Sequence, residues 1–126
     1  MTRILALIIG AIASGTALFP FAAEATEQVV VLVRTFAGEG RERELEERSL
    51  KQLEYFRKAE PTATFRLYRG AKMPTHFLWY EVYESQAAYE NHLKVVVPDY
   101  RSQTDRAAPG LMAKPAETEI YVELAK

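Results

Sequence analysis

The sequence predicts an α+β domain in which one antiparallel sheet of four strands carries helices on one side. Three observations lead there. Four short segments are rich in β-branched and aromatic residues, two longer ones repeat apolar residues at helical spacing, and their order is strand, helix, strand, strand, helix, strand. The two middle strands are joined only by residues 70–74, a Gly- and Pro-containing link of hairpin length, so that pair is antiparallel.

The first 25 residues stand outside this pattern. Arg3 gives a positive start, residues 4–19 are apolar with small side chains mixed in, Pro20 breaks the run, and Ala23, Glu24 and Ala25 have the small-x-small form of a signal-peptidase site. We expect cleavage after Ala25, which leaves one domain over residues 26–126 in the periplasm or secreted from a bacterium. A membrane anchor is the second reading of the leader. The apolar run is shorter than the roughly 20 residues that span a bilayer, so no membrane association is expected after cleavage. The chain has no cysteine, which excludes a lipidated-cysteine anchor and a disulfide framework. Its 16 basic and 17 acidic residues give a net charge of −1, and the leader removes one of each sign. Along the first predicted helix these charges interleave as a solvated face, so nucleic acid is not an expected partner.

Residues 28–36 (QVVVLVRTF) form the first strand, and the unbroken apolar run 29–33 predicts cover on both of its faces. Gly38 and Gly40 mark a turn, and a helix follows over 41–60. In it Leu45, Ser49, Leu53 and Phe56 recur at helical spacing, Leu50, Tyr55 and Ala59 widen the stripe, and Glu47, Glu54 and Lys58 lie opposite. Pro61 ends the helix by disfavouring helical backbone at Glu60, and residues 62–69 alternate as the second strand. The third strand covers 75–83, with Phe77, Trp79, Glu81 and Tyr83 on one face and Leu78, Tyr80 and Val82 on the other. Ser85 is placed to cap a second helix, from 86 to about 95, that carries His92. Pro98 opens a short helical piece over 99–108, closed by Pro109 and Gly110. In the last strand, 117–124, Ile120, Val122 and Leu124 alternate with Glu119, Tyr121 and Glu123.

This is the split βαβ, or ferredoxin-like, β-α-β-β-α-β arrangement, whose helices cover one face of the sheet and leave the other bare. The third strand is apolar on both faces, and a second copy packed sheet to sheet as a homodimer is the simplest cover.

Residues 81–93, reading EVYESQAAYENHL, resemble the signature of the antibiotic biosynthesis monooxygenase family. The shared features are a Glu-x-aromatic at the end of strand three, a polar cap, a small-small-aromatic helix start and His-Leu one turn on. In weaker form the resemblance extends over 28–124, with a Gly near the start of helix one and Arg57 and Glu60 at its end. It implies a dimeric α+β barrel. Activities in such proteins include cofactor-free oxidation of quinols and aromatic polyketides by O2, and oxidative haem degradation. The motif specifies fold better than activity. The haem-degrading branch uses an Asn in strand one, a Trp ending strand three and a His after helix two, where this chain has Val33, Tyr83 and no histidine. A small aromatic or quinol substrate and no cofactor are therefore what the resemblance implies.

His92 and Glu81 are the candidate catalytic pair. The imidazole of His92 can take a proton from a phenol or quinol, giving an anion able to pass an electron to O2; alternatively it fills the gap between helix and sheet and hydrogen-bonds to a backbone carbonyl or to Glu81. Glu81, a carboxylate among aromatics, must be hydrogen-bonded, paired or raised in pKa. It either orients His92 and binds a substrate hydroxyl, or makes a structural bond to a backbone amide or to Arg34 or Arg66. Trp79, Tyr83, Phe77 and Tyr68 are candidates for the wall of a pocket for a flat aromatic substrate, or for ordinary core and interface. Tyr100, with Arg101, is placed to form a lid, and the functional reading needs a small dry hollow beside Glu81 and His92. His76 is expected at the surface without a partner. His76 and His92 lack the spacing of a metal site and no thiolate is available, so no metal is expected. Gly38 and Gly40 lack the third glycine of a nucleotide loop. Two functions remain: cofactor-free oxidation of a quinol or phenol, and a non-catalytic domain that holds a small hydrophobic ligand or serves assembly.

Overall fold

The computed structural model of the protein describes residues 27–104 and 109–124. The leader expected at 1–25, and positions 105–108 of the expected third helical piece, lie outside the described residues. In chain order the elements are β1 (Val29–Phe36), α1 (Glu42–Ala59), β2 (Thr64–Arg69), β3 (His76–Tyr83), α2 (Gln86–Asn91), a π-helical turn (His92–Val96), α3 (Val97–Gln103) and β4 (Glu117–Val122). The strands lie in the order β2-β3-β1-β4, and each neighbouring pair is antiparallel. This is the ferredoxin-like α+β fold that the order of elements predicts.

Register decides what faces the helices. Glu81 lies opposite Val31 on β1 and Phe65 on β2, and Trp79 lies opposite Val33 and Leu67. Opposed residues share a face, so these side chains form rows beneath the helices. Leu45, Ser49, Leu53 and Phe56 of α1 are buried on them, as their spacing predicts. Leu50 stays 50 % exposed, because its neighbour Ser49 points at the sheet and a step of one residue turns Leu50 well away from it. Ala59 is exposed as well. Arg57 anchors the last turn of α1 by donating to the Phe65 carbonyl from Nε (3.2 Å) and Nη2 (2.8 Å). The helix stops at Ala59, and Glu60, forced out of helical geometry ahead of Pro61, still donates its N–H to the Phe56 carbonyl at 2.9 Å.

Ser85 caps α2, its hydroxyl accepting from the Ala88 N–H at 3.1 Å. Beyond it, the two expected helical pieces are joined. Pro98 has no N–H to give and its ring crowds the carbonyl four residues back, and a wider π turn over His92–Val96 carries the chain past that obstacle into α3. The inward positions of this stretch are Tyr89, His92 and Val96.

On the sheet's other face Val30, Leu32, Leu78, Tyr80 and Val82 are half-buried, and Arg34, Arg66 and Tyr68 are exposed. In β4 the alternation is present but buries neither row: Ile120 is 55 % and Val122 50 % exposed, because β4 is an edge strand bordered only by β1. His76 is not the lone surface residue expected. It is half-buried and sets its ring edge against Phe36, 4.9 Å between centroids.

Candidate functional site

Trp79, Glu81 and Tyr83 leave β3 on the helix side because strand side chains alternate. Tyr83 Oη donates to Glu81 Oε2 at 2.6 Å, and both residues are buried. Burial pushes the Glu81 carboxyl above its ordinary value, while the Tyr83 hydrogen bond and the charge of His92 pull it back. The Tyr83 phenol is driven far up, first by burial and then by the neighbouring Glu81 carboxylate, so Tyr83 stays a neutral donor.

His92 enters the same space from the π turn. Its Nδ1 lies 2.6 Å from Glu60 Oε2, with 5 % of the His92 side chain and 10 % of the Glu60 side chain exposed. An ionised carboxylate can only accept, so in this contact Nδ1 is the nitrogen that donates and Nε2 is the one left to face the rings. Among the described residues Glu60 is the one hydrogen-bond partner of this imidazole. Rings surround it: Phe56 at 4.7 Å, Tyr83 at 5.2 Å and Phe65 at 5.7 Å between centroids. Trp79 joins through Phe56, 6.0 Å away.

The structure brings His92, Glu81, Tyr83 and Trp79 into one cluster but pairs them differently from the expectation. Glu81 and His92 do not hydrogen-bond to each other. Tyr83, two residues along the same strand face, reaches Glu81, and Glu60 reaches His92 from the end of α1. Arg34 and Arg66 are on the opposite face of the sheet and cannot serve Glu81; Arg34 pairs with Glu119. Phe77 is buried in a separate cluster with Ala37, Leu45 and Leu111. Tyr68 stands on the bare face, beside Arg34, Phe36, His76 and Leu78 around a shallow hollow of about 230 Å³. Tyr100 belongs to the main cluster, with its ring 5.8 Å from Phe56 and 5.1 Å from Tyr55, whereas Arg101 is exposed.

The hollow expected beside Glu81 and His92 is filled by the rings of Phe56, Phe65, Tyr83 and Tyr89. A groove of about 410 Å³ lies outside it, lined by Glu44, Glu47, Arg48, Lys51, Tyr100 and Thr104. Among the described residues no three His, Cys, Asp or Glu side chains converge as a metal-binding group, and no helix is long and apolar enough to cross a membrane. Glu60 is the site residue that residue pattern alone did not single out. Its signals are the family resemblance at the end of helix one and its place before Pro61, where the backbone must turn.

This geometry sits in a recognisable family. The family model for antibiotic biosynthesis monooxygenase matches residues 28–95, a stretch that includes β1 to β3, Glu60, Glu81 and His92, and the chain belongs to that family. Solved structures agree on the fold. A protein from Nitrosomonas europaea named as a candidate antibiotic biosynthesis monooxygenase is 22 % identical with a TM-score of 0.61, over 79 % of this chain and 92 % of its own. One from Mycobacterium tuberculosis is 19 % identical with a TM-score of 0.61, over 79 % and 97 %. One from Caulobacter crescentus, also named as a candidate monooxygenase of this kind, is 14 % identical with a TM-score of 0.63, over 85 % and 99 %. No curated protein matches the sequence.

Proposed function

We propose that the chain is a cofactor-free monooxygenase that oxidises a quinol or related phenol with O2, using His92 as the proton acceptor. The observation that carries this reading is the buried Glu60–His92 pair, with Nδ1 held at 2.6 Å among aromatic rings. A carboxylate on one ring nitrogen fixes the tautomer, aims the other nitrogen and stabilises the imidazolium that forms, as in other carboxylate–histidine pairs. In a dry aromatic surround, deprotonating a quinol leaves an electron-rich anion that can give an electron to O2. Recombination at a ring carbon and loss of water then balance as quinol plus O2 giving hydroxyquinone plus water, with the quinol supplying all four electrons. Glu81, bonded to Tyr83, stands beside this pair and sets its electrostatics. Trp79 and Tyr83 are the ring surfaces on which a flat substrate would lie.

The test is oxygen uptake by the metal-free protein with a panel of quinols. We expect uptake that falls by about 100-fold or more in His92→Ala, the usual scale of a lost general base, and less steeply in Glu60→Gln. Absent uptake, or uptake unchanged in His92→Ala, contradicts the reading. The filled interior favours a second reading, a non-catalytic binding or assembly domain of the same fold, and absent uptake with every quinol is what that reading predicts.

Two further parts of the proposal concern setting. A second copy covers the half-buried row of Val30, Leu32, Leu78, Tyr80 and Val82, giving a homodimer. Light scattering that returns the mass of one chain at micromolar concentration would contradict it. Export to the periplasm or exterior follows from the leader pattern of residues 1–25.

A further inference from the structure

We infer that Tyr100 is the gate of the buried cluster, and that the groove between α1 and α3 is the route by which a ligand reaches His92. The inference rests on the reading of His92 as a working base and says how a substrate gains access to it. In the closed form that base is out of reach: His92 and Trp79 are each 4 % exposed, and Tyr83 is 0 % exposed.

The elements around the cluster differ in how firmly they are held. The sheet is fixed by its ladders. α1 buries four side chains and is tethered to β2 through Arg57 on the Phe65 carbonyl and Glu46 on Arg69. The π turn buries His92 and Val96, and α2 buries Tyr89. By contrast, α3 buries no residue, and among the described residues it meets the core through Val97 and Tyr100, both partly buried. The Tyr100 ring is held by Tyr55 and Phe56, with the Arg48 charge acting on its phenol from the groove, so turning this ring outward breaks mainly aromatic contact.

Its position makes that movement consequential. The inner side of Tyr100 rests on Phe56, the ring that rests on His92, and Tyr100 also lines the groove with Glu44, Glu47, Arg48, Lys51 and Thr104. Removing this one ring therefore extends the groove to Phe56, the ring that lies against His92, and a single-ring phenol entering there would replace one aromatic contact by another.

Trp79 is the chain's one tryptophan and touches Phe56, so it reports on the seal. The experiment measures acrylamide quenching of Trp79 fluorescence and the rate of diethyl pyrocarbonate modification of His92, located by peptide mass to separate it from His76. Wild type should be slow in both. Tyr100→Ala should be severalfold faster in both at unchanged far-ultraviolet circular dichroism, and Tyr100→Phe should match wild type, because the ring and not the hydroxyl makes the seal. If Tyr100→Ala does not fold, Tyr100→Leu carries the same test, with a smaller rise expected. Rates in the folded variant that equal wild type, or a wild-type Trp79 quenched as readily as free tryptophan, would overturn the gate. Neither readout uses oxygen consumption. A tight seal in an active protein removes the gate alone, and an opening gate in a protein inert to all quinols removes the oxidase reading alone.

Discussion

On its helix side β3 presents Phe77, Trp79, Glu81 and Tyr83, all buried; on its other side it presents Leu78, Tyr80 and Val82, all half-buried. One strand thus supplies two surfaces in different states of completion. On the helix side a single chain finishes the packing, and it buries two carboxylates by giving one a phenol and the other an imidazole. On the bare side the charged groups stay at the surface, with Arg34 and Tyr121 both bonded to Glu119. The contrast teaches how the helix side accommodates polar groups: buried ionisable groups cost free energy unless partnered, and Glu81 and His92 are each buried with a hydrogen-bond partner.

The largest expected effect separates the two faces on one strand. Phe65 and Tyr68 both belong to β2, the first 2 % exposed under α1 and the second 47 % exposed on the bare side. Denaturant unfolding should show Phe65→Ala costing about 3–5 kcal/mol, from lost burial and the cavity left behind. Tyr68→Ala should cost less than about 1 kcal/mol at low protein concentration. Equal costs would break the comparison. A Tyr68→Ala cost that grows with protein concentration would sharpen it, because then a second copy is what holds that face.

A smaller effect depends on pH. The folded Glu81 carboxyl is raised, chiefly by burial, so the stability linked to it is fully present below the unfolded carboxyl's pKa of about 4.3 and is lost as pH rises through the folded value. Glu81→Gln removes the ionisation and keeps the shape. Its unfolding midpoint relative to wild type should therefore rise from pH 4.5 to pH 8. Glu44, Glu117 and Glu119, whose surface partners lower their pKa values, push the opposite way but cancel in this difference. A difference that stays flat across this range would mean that Glu81 is not desolvated.

Much of this organisation is legible in the residues. The spacing of Leu45, Ser49, Leu53 and Phe56 identifies the buried face of α1, the alternation in β3 identifies the row that carries Glu81, and Ser85 marks the start of α2. These are local properties, set by 3.6- and 2-residue repeats and one capping hydroxyl. The pairings inside the cluster are not local. His92 and Glu60 are 32 positions apart, and their contact depends on how far the end of α1 reaches over the sheet and on the extra width of the π turn. Tyr68 lies on the face opposite Trp79 and Tyr83 for a related reason. Its face is set by the register of β2 against β3, and a one-residue change of register exchanges the faces.

The proposed role of His92 depends most on Glu60 holding its ring, and long-range proton–nitrogen NMR of the imidazole tests that contact directly, since the chain has only two histidines. We predict a hydrogen on His92 Nδ1 that is downfield, slowly exchanging and lost in Glu60→Gln. A His92 ring that averages freely between tautomers, with a spectrum unchanged in Glu60→Gln, would contradict it.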